Sequence, residues 1–234
     1  MAIRRGSLNI PEDATKVFSV NTTGTGDNPT NVWNIGFPAD LSINTKTDGS
    51  ASYLITRETA GKYLHTHDNA AEQSNTNDWF DNHPTGTLNL NTGWWSGGSN
   101  VISYAWKRAP SYYDSAPYMG NATAGKTVSH NLGVIPEMIW VKRRDLTRSW
   151  YVYHKDLDAS NPSHKYLVLE DDSAVADSTD IWNDTAPTSS VFTIGDSSGV
   201  NANGTPYLAL LFATVAGVSK VGSFSHTSNT DTNV

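Results

Sequence analysis

Short runs of apolar and aromatic residues, separated by turn-forming clusters, make up most of this chain. The clusters, such as DASNPSH and GDSSGVNANGTP, are rich in the residues that favour turns. No capped segment of helical period is long enough to predict a helix, although DDSAVADSTDIW (171–182) has room for one turn. The runs favour strands because they are rich in Val, Ile, Tyr, Phe and Trp, and include EMIWVKRR (137–144), SWYVYHK (149–155), KYLVLE (165–170), SVFTIG (190–195) and YLALLFATV (207–215).

The same order of runs occurs twice along the chain. KYLHTHDN (62–69) matches KYLVLEDD (165–172), and WFDNHPTG (79–86) matches WNDTAPTS (182–189), both at an offset of 103. Further on, NVISYAWK (100–107) lines up with PYLALLFA (206–213) at an offset of 106. Similar starts occur at Phe18, Tyr118 and Phe224, which predicts two full repeats followed by the beginning of a third.

These matches divide the chain into four segments. Residues 1–17 form a short N-terminal arm, residues 18–117 and 118–223 form the two repeats, and residues 224–234 start a third repeat or form a strand tail. A repeat of about 100 residues with six or seven short strands is typical of a sandwich or jelly roll. The predicted fold is all-β, with two tandem antiparallel β-sandwich (jelly-roll-like) repeats.

Composition and charge exclude several classes of function. The chain has 234 residues, a net charge of −7 and no cysteine, so a disulfide framework or a thiolate metal site is impossible. The negative charge argues against binding to nucleic acid. No apolar run approaches the roughly 18 residues that span a bilayer, so we expect no membrane insertion. Arg4 and Arg5 precede no hydrophobic region, so no signal peptide is expected.

The second repeat resembles a module of marine bacteriophage structural proteins. The likeness rests on GNATAGKTVSHNLGVIPEMIWVKRRD (120–145), on KYLVLEDD and on the IWNDTAPTSSVFTIGDSSG stretch that follows, and it covers nearly all of residues 118–226. The first repeat matches more loosely, because SINTKTDGS (42–50) replaces the V-K-R-R run. The resemblance implies a β-sandwich module of a tail-fibre-like appendage, assembled in the host cytoplasm, and it supplies no catalytic residues.

His65 and His67 raise the question of a metal site. Alternation along a strand places both imidazoles on one face, beside Asp68. In the matching strand they become Val168 and Glu170, so the fold itself requires no metal there. The sequence therefore predicts no cofactor, and leaves His65 and His67 as candidate ligands where copies pool their imidazoles at an oligomer axis. Leu64 and its counterpart mark the core face, and the histidines lie on the other face.

Two further groups are candidates for contact with partners. Lys142, Arg143 and Arg144 are able to bind an acidic neighbour or an anionic glycan, or they simply end the first strand of a hairpin. Trp94 and Trp95, beside glycines, are able to pack against another subunit or a sugar, or to form part of a strand.

The function predicted from the sequence is that of a non-enzymatic virion protein, part of a tail fibre, spike or similar appendage. We expect it to associate with copies of itself, as a homotrimer, and with other virion proteins. The arm, with Arg4 and Arg5, is expected to dock on the particle. The alternatives are a module that binds host surface glycan, a head decoration protein, or a polysaccharide depolymerase that uses carboxylates of residues 170–184.

Overall fold

A computed structural model describes residues 9–25, 32–59, 61–74, 87–89 and 100–224. The first half of these residues contains the strands β1 Phe18–Thr25, β2 Val32–Asn34, β3 Leu41–Lys46, β4 Ser52–Thr56, β5 Lys62–His65, β6 Gln73–Ser74, β7 Thr87–Asn89 and β8 Asn100–Trp106. The second half contains β9 Tyr113–Met119, β10 Lys126–Ser129, β11 Met138–Arg143, β12 Tyr151–His154, β13 Lys165–Val168, β14 Ala176–Asp177, β15 Val191–Ile194 and β16 Pro206–Phe212.

Helix among the described residues is limited to single turns. They are the α-helical turns α1 Thr179–Trp182 and α2 Ser198–Asn201 and the 3-10 turns Ala14–Lys16, Arg57–Thr59 and Pro162–His164. The turn α1 falls within the segment 171–182 where the sequence left room for one. No helix in the described part of the chain is long and apolar enough to cross a membrane.

Each half of the chain forms one large and one small antiparallel sheet. The first half orders its large sheet β1-β8-β3-β4-β5-β6 and pairs β2 with β7. The second half orders its large sheet β9-β16-β11-β12-β13-β14 and pairs β10 with β15, so the two strand orders correspond one to one. The predicted all-β class, with antiparallel β-sandwich repeats, is confirmed.

The ladders align the repeats residue by residue. His65 pairs with Tyr53, and Val168 pairs with Tyr151, so the offset of 103 read from the sequence holds in this strand. The start of the repeat differs from the sequence alignment. Phe18 lies opposite Trp106, and Tyr113 lies opposite the matching Phe212. The equivalent of Phe18 is therefore Tyr113 rather than Tyr118, and the boundary between 117 and 118 falls inside β9.

The turn that leads into the first strand of a repeat occurs three times. Val17 N–H donates to Ala14 O at 3.1 Å, Tyr112 N–H to Ala109 O at 3.2 Å, and Val218 N–H to Val215 O at 2.9 Å. Isolated bridges follow the second and third turns, between Ala109 and Tyr113 and between Val215 and Ser219. The third turn therefore ends at Ser219, five residues before the Phe224 start expected from the sequence.

The two large sheets pack face to face and share one hydrophobic core. Leu41, Leu54 and Leu64 come from the inner face of the first sheet, and Leu208 and Leu210 from that of the second, and all five are fully buried. On the outer face of the second sheet, β10 and β15 cover a separate core that includes the fully buried residues Val141, Ile194, Tyr207, Ala209 and Leu211. The outer face of the first large sheet carries a matching core that includes Tyr53, Ile55 and Ala105, so each large sheet is buried on both faces at its centre.

We predict that Leu210→Ala destabilises both repeats together. Truncating a fully buried leucine should lower the free energy of unfolding by about 2–5 kcal/mol, because a cavity opens in the shared core. Denaturation followed by tryptophan fluorescence and by circular dichroism should show one coincident transition. Val20→Ala, at a position 44% exposed on β1, is the control and should change the free energy by less than about 0.5 kcal/mol. Two separate transitions in the wild-type chain would contradict the shared core.

Candidate functional site

The segment from His65 to Glu72 joins the first repeat to the second. Arg148 N–H donates to Asn69 O at 3.0 Å, and Glu72 N–H donates to Arg144 O at 2.8 Å. The buried indole Nε1–H of Trp150 donates to His65 O at 2.6 Å. We call residues 65–72 the docking segment, because its backbone bonds to the β11–β12 hairpin along its length. That hairpin is the one predicted from the sequence, with Val141 opposite Tyr151.

Lys142 is fully buried at the centre of this junction. Its Nζ donates to Asn69 O at 3.0 Å and to Arg148 O. Desolvation lowers the pKa of Lys142 to about 8, although the nearby carboxylates of Glu170 and Asp68 oppose this shift. The prediction that Lys142 contacts an external partner is therefore wrong, because strand alternation directs this side chain towards the first repeat.

Arg144 binds the first repeat through its guanidinium group. Its Nε and Nη2 donate to the Glu72 carboxylate at 2.6 and 2.9 Å, and Nη2 also donates to Glu58 O at 3.2 Å. Bidentate pairs of this kind are strong and directional. Arg143, in contrast, donates to Asp145 at 2.7 Å within its own hairpin and to Ser198 O at 3.2 Å. All three basic residues singled out from the sequence thus bind groups within the chain.

The two candidate histidines belong to a stack of rings on the docking segment. The His65 ring lies nearly parallel to Tyr63 and to His67, at centroid distances of 5.5 and 5.1 Å. Tyr53 meets this stack edge-on, 5.0 Å from His65. Tyr63 and His65 are buried, so the expectation that the histidines lie away from a core needs correction. The face opposite Leu64 is covered by the core of the first repeat.

Asp68 ties the two imidazoles to the turn that follows them. Its Oδ2 lies 2.8 Å from His65 Nδ1 and 3.5 Å from His67 Nε2, and its Oδ1 accepts the Ala70 N–H at 2.8 Å. Partial burial raises the pKa of Asp68, but the hydrogen bonds from Ala70 and His65 outweigh it and lower the pKa overall. The carboxylate therefore holds the docking segment in shape.

A metal ion fits these groups poorly as they stand. Nitrogen and oxygen atoms of His65, His67 and Asp68 lie within 4.8 Å of one another, as three ligands must. A ligating imidazole directs its lone pair in the plane of its ring, however, and stacked rings whose planes differ by 13° do not converge on one ion. The arrangement favours hydrogen bonding, and ligation between copies at an oligomer axis stays an untested prediction.

The repeat explains why His67 is where it is. His67 Nδ1 lies 3.0 Å from Ser52 N and 2.9 Å from Ser52 O, and it accepts the Ser52 N–H in the tautomer that carries its proton on Nε2, the nitrogen on the side of Asp68. At the equivalent place Trp150 N–H donates to Glu170 Oε2 at 3.1 Å. Both side chains therefore satisfy the amide at the start of the neighbouring strand. Sequence reasoning did not detect this role, although the match of His67 with Glu170, two residues able to accept a hydrogen bond, was visible.

Four residues predicted to contact partners lie outside the described part of the chain. They are Arg4 and Arg5 in the arm and the adjacent pair Trp94 and Trp95. Their predicted roles remain predictions. The described candidate residues that meet in space are those of the docking segment and the hairpin, at the junction of the two repeats.

We predict that Arg144→Met destabilises the chain much more than Arg143→Met. Removing Arg144 leaves the Glu72 carboxylate, whose side chain is 6% exposed, without its ion-pair partner, and should lower the free energy of unfolding by about 3 kcal/mol. Removing Arg143 leaves Asp145 without its ion-pair partner, but the Asp145 side chain is 41% exposed and water is able to solvate it. The free energy of unfolding should therefore fall by less than about 1 kcal/mol. Equal losses in urea denaturation would show that the Arg144–Glu72 pair does not hold the repeats together.

We also predict that the stability of the junction depends on the charge of Lys142. The pKa of Lys142 is about 8 in the folded chain and 10.5 ordinarily, so the unfolded chain binds this proton more tightly. The resulting penalty is fully present below pH 8 and disappears as the pH rises towards 10.5. Relative to Lys142→Met, the wild-type free energy of unfolding should therefore increase by about 2 kcal/mol between pH 8 and pH 10. Parallel curves for the two proteins would contradict the pKa shift.

Comparison with known proteins assigns the chain to a family. No curated protein and no solved structure matches it. A family model described as a domain of unknown function, DUF7483, matches residues 13–234 and so spans both repeats. The chain belongs to the DUF7483 family.

Proposed function

We propose that the chain is a non-enzymatic structural protein of a bacteriophage particle, located in a tail fibre, spike or similar appendage. The resemblance of residues 118–226 to modules of phage structural proteins supports this function. The observation that carries it is the junction, where charged and polar side chains are used to fasten one repeat to the next. An appendage built of repeats needs such joints, because force and position must pass from module to module.

The contacts of the docking segment suit that role. Lys142 binds the Asn69 carbonyl of the first repeat and the Arg148 carbonyl of its own hairpin, and Arg144 binds a carboxylate and a carbonyl of the first repeat. Backbone groups cannot change by substitution, and a bidentate pair fixes orientation as well as distance. The shared leucine core adds the non-directional part of the attachment. Together these contacts support a rigid angle between the repeats.

The same proposal includes the partners of the protein. We place it on the virion, with copies of itself in a homotrimer and with other virion proteins as neighbours. The arm, with Arg4 and Arg5, is the proposed anchor on the particle, and Trp94 and Trp95 are the proposed contact with a neighbouring subunit or with host glycan.

Purified phage particles test this function. Fab fragments raised against the purified chain should label an appendage of intact, gradient-purified particles in electron micrographs, and soluble chain should compete the label away. A chain without residues 1–17 should remain in the soluble fraction of the lysate. Label on the capsid would identify a head decoration protein instead. Absence of the chain from infectious particles, or cleavage of host polysaccharide by the purified chain, would refute a structural role in an appendage.

A further inference from the structure

A cavity of about 350 Å³ opens between the two repeats. Its walls come from both large sheets, with Phe18 and Trp106 on the first and Trp140 and Phe212 on the second. Ala213 and residues 218–221, in the segment that follows β16, complete the lining. The volume lies within the range of pockets that hold small molecules, about 300–1,000 Å³.

The two repeats carry different residues at a matched position that lines the cavity. Ile43 and Trp140 are equivalent, since Ile43 lies opposite Tyr104 on β8 and Trp140 lies opposite the matching Leu210 on β16. Ile43 is the smaller side chain of this matched pair, so the first sheet contributes less volume at this position than the second. Phe18, Trp106, Trp140 and Phe212 remain only partly buried, so their rings leave apolar surface that a ligand is able to cover.

The lining specifies the chemistry of the ligand. Its aromatic walls are paired, with centroids 5.1 Å apart for Phe18 and Trp106 and 5.4 Å apart for Trp140 and Phe212. The polar side chains among the described residues of the lining are Tyr112, Ser219 and Lys220, so most hydroxyl groups of a sugar are left without hydrogen-bond partners, which disfavours a glycan. Lys220 is the one charged residue among the described residues that line the cavity, and it is exposed. An apolar body with a single anionic group matches both features.

We propose that this cavity binds a small amphiphilic carboxylate of the fatty-acid class. The acyl chain lies between the aromatic walls, where its burial removes apolar surface from water. The carboxylate remains at the rim and pairs with the Lys220 ammonium group. None of the described residues that line this cavity belongs to the docking segment, and the proposal does not depend on where the protein sits in a particle.

Decanoate is the probe that tests the site. Titration into the full chain, followed by calorimetry and by tryptophan fluorescence, should show one molecule bound per chain below the micelle concentration. Decanol has an alkyl chain of matching length without the charge and should bind about three- to fivefold more weakly, as expected for one exposed ion pair. No saturable binding of decanoate would overturn the proposal.

Two variants locate the ligand. Ile43→Trp copies the side chain that the second repeat has at this position, so it fills the cavity and should abolish binding while circular dichroism remains unchanged. Lys220→Glu should reduce decanoate affinity at least as much as removal of the charge from the ligand does, while Lys62→Glu, at an exposed position that does not line the cavity, should leave it within about twofold. Equal binding by wild type and Ile43→Trp would show non-specific partition and overturn the site, and equal binding by Lys220→Glu would overturn the role of the carboxylate.

Discussion

Burial of both faces of each large sheet is the constraint on which the rest of the structure depends. A sheet with one wet face alternates apolar and polar residues, but these strands have no wet face at their centre. The run from Tyr207 to Leu211 is buried at every position, with Tyr207, Ala209 and Leu211 facing the outer core and Leu208 and Leu210 facing the other repeat. The continuous apolar run YLALLF is the sequence signature of that position, which explains why alternation is weak in the strands that matter most.

The same constraint accounts for the difference between the two repeats. When two copies of a unit pack face to face, a buried charged donor on one copy requires an acceptor on the other. The position in the second copy that matches the donor therefore carries a different residue. Lys142 of the second repeat corresponds to Thr45 of the first, because each lies two residues after the matched pair Trp140 and Ile43. The Thr45 hydroxyl forms a hydrogen bond of 2.7 Å with the hydroxyl of Ser52, which lies opposite it in the same sheet. The loss of the V-K-R-R run in the first repeat is thus a consequence of its position. At the docking segment, the first repeat provides the Asn69 carbonyl and the Glu72 carboxylate, and the second repeat provides the cations Lys142 and Arg144. Away from this segment the roles are reversed, because Arg108 of the first repeat pairs with Asp114 of the second.

Much of the architecture was predictable from the sequence because the two repeats can be aligned with each other, and matched segments are expected to form the same strands. The matches at KYL and at YLALLFA gave strand equivalences that the ladders reproduce, and the hairpin after VKRR follows from its turn residues. The start at Phe18 was misaligned by five residues, because aromatic residues and turn formers recur at Tyr113 and Tyr118 and only pairing with Phe212 distinguishes them. Burial of Lys142 was not predictable, since a lysine at the end of a strand is usually solvated and its acceptors come from residues 73 and 6 positions away in the chain.

The histidines show how one position serves different side chains. The amide that begins the strand next to the docking segment needs an acceptor, and a glutamate or the Nδ1 of an imidazole supplies it equally well. Imidazole adds a flat surface that stacks on the His65 ring, which in turn stacks on Tyr63, and a glutamate does not offer such a surface. The docking segment is therefore stiffened by rings in the first repeat, at the place where its backbone must present carbonyls to Lys142, Arg148 and Trp150. The feature that most resembles a metal site in the sequence thus positions the backbone that holds the two repeats together.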